Sequence, residues 1–313
     1  MRRVDHAAPG GAEAPEGPAR PASPLVARLS VVVLTHERRE ELLRTLGKLV
    51  AEHEAGAIVV VDNGSRDGTE AAVAAHFPAV QWVRLARNLG AAGRNHGVQR
   101  AATPYVAFCD DDTWWAPGAL AHAVALLDAY PRLAVVTARV LVGATQGEDV
   151  ACRYMGACGR PDPGTLPGLE VAGFLAGACV MRRSAFLVAG GYEPRLLIGG
   201  EETLLALDLL AAGWRLAYVP ALVVHHYPSP RRDSGRRRHL LLRNALWCAW
   251  LRRPPGAAWR ETWRRLAEAR GQTRRAWSVV ALCGLPWVLR HRRVLPRHVE
   301  TALRLLDPER ERA

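Results

Sequence analysis

"YVAFCDDDTWWAPGAL", Tyr105–Leu120, decides how this 313-residue chain is read. A short apolar run with the make-up of a β-strand stops at three adjacent carboxylates, Asp110, Asp111 and Asp112. Two tryptophans, a proline and a helix-like segment follow. Like charges side by side repel one another, so a chain that keeps three of them has a cation to meet. Hard divalent cations such as Mg2+ and Mn2+ prefer oxygen ligands, often one or two carboxylates completed by substrate phosphates. On an extended segment Asp110 and Asp112, two apart, would point the same way. Alone, the cluster reads equally well as a solvated acidic turn before a helix.

Upstream the same design repeats. "LSVVVL" (29–34), "AIVVVD" (57–62) and "VQWVRL" (80–85) are short apolar runs. Between the first two lies "ERREELLRTLGKLVAEH", whose Leu42, Leu43, Leu46, Leu49 and Val50 recur at helical spacing. "TEAAVAAHF" reads as a second helix, and a Gly-rich loop leads into a third before the strand at Tyr105. Four β–α repeats with nearly continuous apolar strands predict an α/β fold, a parallel sheet covered on both faces. Ligands bind such sheets beyond the carboxyl ends of the strands. Polar clusters sit there four times: "THER", "DNGSRDG", "ARNLGAAGRN" and "DDDT". Four in register imply a site for a large polar ligand.

Beyond Pro131 the pattern loosens. "LAVVTARVLV" predicts another strand, 143–170 a Gly/Pro-rich excursion, and "GFLAGACVMRRSAFLVAGGYEP" a strand and a short helix. "GGEETLLALDLLAAGW" predicts a helix between Gly199–Gly200 and Gly213, with acidic residues in its first turn. "RLAYVP" and "LVVHH" read as two short strands.

Composition divides the chain in three. Residues 1–27 form a leader rich in Ala, Pro, Gly and Glu, expected to be disordered and without the apolar core of a signal peptide. Residues 28–230 form the expected catalytic domain, with 18 basic and 20 acidic side chains. Residues 231–313 are expected to be a basic, Trp-rich helical region, with 21 Arg against 7 acidic residues and six of the ten Trp. That make-up suits an interfacial helix on an anionic membrane, and equally a helical cap packed on the catalytic domain. No DNA-reading motif accompanies the arginines, so no nucleic-acid partner is expected. The six cysteines form no CxxC pair and read as reduced thiols. With no signal peptide and no apolar stretch of the roughly 18 to 20 residues that cross a bilayer, a cytoplasmic protein is expected, in peripheral contact with the inner face of the cell membrane.

In order and approximate spacing, "LSVVVLTHERREELLRTL", "IVVVDNGSRDGT", "RNLGAAGRNHGVQRAATPYVAFCDDDT" and "GGEETLLALDLLAAGW" resemble the family 2 glycosyltransferases of GT-A fold. The resemblance covers residues 29 to 227. It implies a Rossmann-like, mostly parallel sheet flanked by helices, with the helical C-terminal tail beyond it. It also implies a metal-dependent, inverting hexosyl- or deoxyhexosyltransferase using a nucleotide-diphosphate sugar, of the kind that builds cell-wall or other polysaccharide. The acceptor would be a hydroxyl of a glycan, a lipid-linked sugar or a natural product.

Thr35, His36, Glu37 and Arg38 would then line base and ribose, although the family usually shows Tyr-Asn where this chain has His36-Glu37. Asp62 would accept from the base, with Asn63 and Ser65 shaping the turn. Arg94 and Asn95 would reach ribose or phosphate. Asp110 and Asp112 match the family's DXD motif, with Asp111 between them also expected to face the nucleotide sugar; Asp112 would bind Mn2+ or Mg2+, and Asp110 would contact the ribose or the metal's water shell. Glu201–Glu202 stand where the family has Glu-Asp, which makes Glu202 the expected general base and Glu201 its alternative. Inverting transfer needs such a base to take the acceptor's proton. His225 or His226 would complete the metal site; adjacent strand residues face opposite ways, so at most one serves. Gly177 and Ala178 would be small to let sugars approach the backbone.

Two rival readings differ in class. A sugar nucleotidyltransferase would carry a Gly-rich signature with a Lys near the N-terminus, and the segment after "VVVL" has neither. A non-catalytic protein binding through its basic tail would have no use for both carboxylate pairs.

Overall fold

Seven principal strands form one sheet in the computed structural model, which describes residues 27–52, 56–162, 164–229, 234–268 and 284–306. Residues 1–26 of the leader and residues 269–283, with Trp277 and Cys283, lie outside the described residues. β1 (Leu29–Thr35), β2 (Ala57–Asp62), β3 (Gln81–Arg84) and β4 (Tyr105–Asp110) run parallel in the order β3-β2-β1-β4. The centres of β1, β2 and β4 are buried on both faces, which is why they read as continuous apolar runs rather than alternating ones; β3, at the sheet edge, is only partly buried. The covering helices are α1 (Arg39–Ala51), α2 (Thr69–His76) and α3 (Arg94–Arg100), then α4 (Ala119–Ala129) after the short strand β5 (Thr113–Trp115).

The second half extends the sheet from β4. β6 (Leu133–Val142) is followed by β7 (Gly147–Glu148), α5 (Val150–Cys158), β8 (Arg160–Pro161) and β9 (Leu169–Glu170). Then come β10 (Ala178–Arg182), α6 (Arg183–Val188), α7 (Glu201–Ala211) and β11 (Arg215–His226). β10 runs antiparallel between β4 and β6, and β11 parallel to β6, so the sheet is mostly parallel as expected.

Two expectations need correction. The strands expected at "RLAYVP" and "LVVHH" are one strand, β11, with a register shift between Val219 and Val223. Pro220 has no N–H for the ladder, and a bulge accommodates it without ending the strand. The excursion at 143–170 holds a regular helix, α5, whose N-cap Asp149 accepts from the Ala151 N–H at 2.8 Å.

The C-terminal region folds onto α7. Among the described residues it comprises α8 (Ser234–Arg252), α9 (Pro255–Glu268), α10 (Leu285–Arg290) and α11 (Arg297–Leu306). Trp247, Cys248, Leu251 and Val288 form a small core with Leu196 and Leu204. Leu295, Val299 and Leu303 form another on Leu207 of α7. Arg252 grips the Asp208 carboxylate with two hydrogen bonds, Nη2 to Oδ2 at 2.9 Å, and Arg253 does the same to Glu300 at 2.7 Å. Among the described residues no helix is long and apolar enough to cross a membrane.

Candidate active site

The four polar loops meet where the sequence put them, at the carboxyl ends of β1 to β4. Thr35 ends β1 and donates through Oγ1 to Asp111 Oδ2 at 3.1 Å. Glu37, in the left-handed region at φ 54°, donates its N–H to Ser65 Oγ at 2.9 Å and accepts from the Arg66 N–H at 2.8 Å. The loops after β1 and β2 are thus clasped. Asp62 is fully buried; one oxygen accepts from the Ser65 N–H at 2.8 Å, the other from Arg84 at 3.0 Å. Asn63 donates to the Gly90 carbonyl at 3.0 Å and fixes the loop before α3. Asp62 and Asn63 therefore hold this wall from beneath. His36 Nδ1, by contrast, is buried without a hydrogen-bond partner.

The carboxylates do not line up as an extended segment would place them. β4 ends at Asp110, and Asp111–Asp112 form a turn before β5. Asp111 and Asp112 share Arg38, whose Nη1 lies 3.0 and 3.3 Å from them, while Asp110 pairs with Arg94. The turn is pinned: Thr45 donates to the Asp111 carbonyl at 2.9 Å, and the Tyr227 N–H to that of Asp112 at 2.9 Å. Asp112, its side chain only 2% exposed, also accepts from the Ser229 N–H at 3.3 Å and faces His226 Nε2 at 3.5 Å. Asp110 is the open one, with its side chain 42% exposed.

These settings separate the three acids. Burial pushes the Asp111 carboxyl up to about 7, against the pull of Arg38. Burial would also raise Asp112, but His226, Arg38 and the Ser229 N–H hold it below the usual carboxylate value.

Glu201 and Glu202 open α7 behind the left-handed glycines Gly199 and Gly200. A Cβ on Gly199 would meet Leu241 of α8 at 2.2 Å, so the C-terminal layer presses on the turn that presents them. Burial would lower the Arg94 guanidinium, but Asp110, Glu201 and Glu202 together hold it raised. Burial pushes the Glu202 carboxyl up, opposed by its own N–H and by Arg94, and helped by Asp110. Glu201 is buried and Glu202 partly accessible. Arg94 Nε has no hydrogen-bond partner.

Gly177 completes the floor. A Cβ there would stand 2.6 Å from Asp110 Oδ2. Ala178 opens β10 as a buried sheet residue in register with Cys109. Asn95 exchanges two hydrogen bonds with the Tyr192 backbone at 2.8 and 2.9 Å, and so ties α3 to the segment before α7. His225 points elsewhere, stacking on Trp114 and meeting Gln146 at 2.7 Å through Nδ1. Of the two histidines only His226 faces the carboxylates.

Sequence reading missed Arg84, Thr45 and Ser229. Arg84 carried a signal, since it ends β3 in register with Asp62 and opposite charges pair across strands. Among the described residues no three His, Cys, Asp or Glu side chains form a metal cage by themselves.

Glycosyl transferase family 2 matches residues 30–187. The chain belongs to this family. It is a glycosyltransferase with the GT-A fold. It is 28% identical over 246 residues to the N-acetylglucosaminyl-diphospho-decaprenol L-rhamnosyltransferase of Mycobacterium tuberculosis, covering 66% of this chain and 78% of that protein. It is 31% identical over 229 residues to the pre-mycofactocin glycosyltransferase of the same organism, covering 69% of this chain but 46% of that one. Among solved structures, a Pyrobaculum calidifontis mannosyltransferase in complex with GDP-Man and Mn2+ aligns over 89% of this chain and 84% of its own, at TM-score 0.55 and 18% identity. GalNAc-T7 with UDP, GalNAc and Mn2+ aligns at the same TM-score and identity over 72% of this chain and 48% of its own.

Proposed function

We propose that this glycosyltransferase moves a hexosyl or deoxyhexosyl group with inversion onto a hydroxyl of a lipid-linked acceptor, with Glu202 as general base. One observation carries the reading. The first turn of α7 and the end of β4, about ninety residues apart in sequence, converge on Arg94, which supports a reading in which Glu202, as base, would work close to the carboxylates that would face the donor. An inverting transfer needs these two acidic sites, one at the leaving group and one at the attacking hydroxyl. The raised Glu202 carboxyl suits a group that must hold a proton briefly. The acceptor class follows the decaprenol-linked substrate in the name of the rhamnosyltransferase relative.

The donor's base and ribose would lie against Thr35, His36, Glu37 and Arg38, over the wall that Asp62, Asn63 and Ser65 hold. His36 Nδ1 and Arg94 Nε, buried and unpartnered, are polar atoms that a ligand can satisfy. Asp112 and His226, 3.5 Å apart, offer a carboxylate and an imidazole of the chemistry that suits Mn2+ or Mg2+, and the open Asp110 carboxylate and the donor phosphates would have to complete the shell. When bound, the ion would offset charge on the departing nucleoside diphosphate. Arg94 would hold Asp110 in place, and Glu202 would take the acceptor's proton.

A panel of nucleoside diphosphate sugars with Mn2+ tests the reading by thermal unfolding. The cognate donor at about 100 times its Kd should stabilise the protein by roughly 2.7 kcal/mol. No stabilisation by any donor, with or without metal, would overturn it.

A further inference from the structure

The C-terminal arginines and tryptophans do two different jobs. Trp247 is buried against α7 and Trp250 packs on Thr262, its indole N–H donating at 3.0 Å. Trp259 and Trp263 stand one helical turn apart on α9, 52% and 63% exposed; one edge of Trp259 packs on Trp250, ring centroids 5.2 Å apart, and the rest of both indoles faces outward. Around them the outer stripe of α9 reads Gly256, Trp259, Arg260, Trp263 and Ala267, all exposed. No carboxylate lies on it. Glu261 is turned onto Arg264 and Arg265 at 2.6 and 2.8 Å. The inner face of the helix is closed by Ala257, Ala258 and Thr262. Arg260 is exposed and forms no ion pair among the described residues.

Most of both indole surfaces therefore meets water, beside a guanidinium with no ion pair among the described residues. Indoles combine an apolar body with a polar N–H and concentrate where hydrocarbon meets water, and arginines beside them add attraction to anionic headgroups. The charge agrees. Residues 231–313 carry a balance of +14 while 28–230 carry −2, so the attraction is concentrated in the layer that presents α9. A second exposed apolar pair, Leu285 and Leu289 on α10, sits in the same layer next to Arg290.

We propose that the outer face of α9, Trp259 and Trp263 with Arg260, docks the enzyme on an anionic lipid surface. The helix lies flat and does not insert across the bilayer. Docking there brings the site to a lipid-linked acceptor and so rests on the reading above; vesicle binding and sugar transfer are separate measurements, and either can fail alone.

The test uses the full chain and its Trp259→Ala/Trp263→Ala variant, sedimented with phosphatidylglycerol/phosphatidylcholine vesicles and with phosphatidylcholine alone. Wild type should partition onto the anionic vesicles, and less so as salt rises. The variant should lose at least tenfold in partition while keeping a cooperative unfolding transition and donor hydrolysis, and Trp263→Ala alone, which leaves the Trp259–Trp250 contact intact, should already weaken binding. Arg260→Glu should weaken anionic binding and leave the fold unchanged. Equal binding to both vesicle types, no binding by wild type, or unchanged binding by the double variant would each overturn the proposal. So would concentration-dependent self-association that the double variant abolishes, or retention on a DNA duplex with none on vesicles.

Discussion

Gly177→Ala should damage catalysis while sparing the fold. A Cβ at residue 177 would lie 2.6 Å from Asp110 Oδ2 and 2.8 Å from its Cγ, about 0.8 Å inside ordinary contact at 3.4 Å. One side must yield. The backbone is poorly placed to do so: the Gly177 carbonyl accepts from Thr113, the Ala178 N–H donates to Leu175 at 3.0 Å, and Thr137 bonds to both Ala178 and Leu175. Residue 177 itself is not left-handed, so alanine suits its conformation and only the space is wrong. The Asp110 carboxylate must therefore swing off Arg94, at about 0.5–1.5 kcal/mol for an off-rotamer side chain. Asp110 is 42% exposed but Arg94 is buried, so the swing leaves the guanidinium to Glu201 and Glu202 alone and can cost up to about 3–5 kcal/mol; the protein should keep its fold and unfold cooperatively at a lower temperature. Catalysis is less forgiving, since a misplacement of about 1 Å at a reacting centre can cost about 10²-fold. Steady-state transfer should show kcat/KM down by about that factor. A double-mutant cycle with Asp110→Ala isolates the cause. Once the carboxylate is gone, the extra methyl group should cost little, and the two losses should be far from additive. Full activity in Gly177→Ala, or additive losses in the cycle, would refute the reasoning.

Four further outcomes follow from the same geometry. Glu202→Gln should lower kcat by about 10² to 10⁴ with donor affinity nearly unchanged; an equal loss from Glu201→Gln with Glu202→Gln near wild type moves the role to its neighbour. Wild-type kcat should fall on acidification from a pH above the ordinary glutamate range, because a base must be ionised and burial raises Glu202. Asp112→Ala should abolish turnover and the metal dependence of donor binding, measured by titration calorimetry with and without Mn2+; unchanged metal dependence would remove Asp112 from the ion. Trp247→Ala should destabilise by about 3–5 kcal/mol, read by denaturant titration of the full chain, since Trp247 is 9% exposed at the centre of the core on α7; a loss under about 1 kcal/mol would mean that the C-terminal layer barely contributes to folding.

The sheet and its ligand edge were legible because their physics is local. β1, β2 and β4 are buried on both faces and so are apolar throughout, and chain that must reach water or ligand turns polar at the same end of each strand. What was not legible depends on partners distant in sequence. Asp110 and Asp112 looked equivalent in "CDDDT", yet a turn at 111–112 hands one to Arg94 and the other to Arg38, Ser229 and His226. Arg84 is an ordinary strand-end arginine until its register with Asp62 is known. Pro220 read as a strand end because a proline cannot donate to the ladder, and only the bulge shows that the strand resumes.

The C-terminal region makes the point most sharply. Trp247 and Trp263 sit in similar company, indoles flanked by arginines and small apolar residues, and composition assigns them one role. α7 separates them. Its Leu204 takes Trp247 into a shared core, and the same docking sets Leu241 against Gly199 at the turn that presents Glu201 and Glu202. Trp263 is left on the far side of α9, in water. A cap and a proposed membrane face therefore need not compete: the inner residues brace the helix that carries Glu201 and Glu202, and that bracing turns the outer ones outward. A change to the inner set should register in stability and turnover, and a change to the outer set only in where the enzyme works.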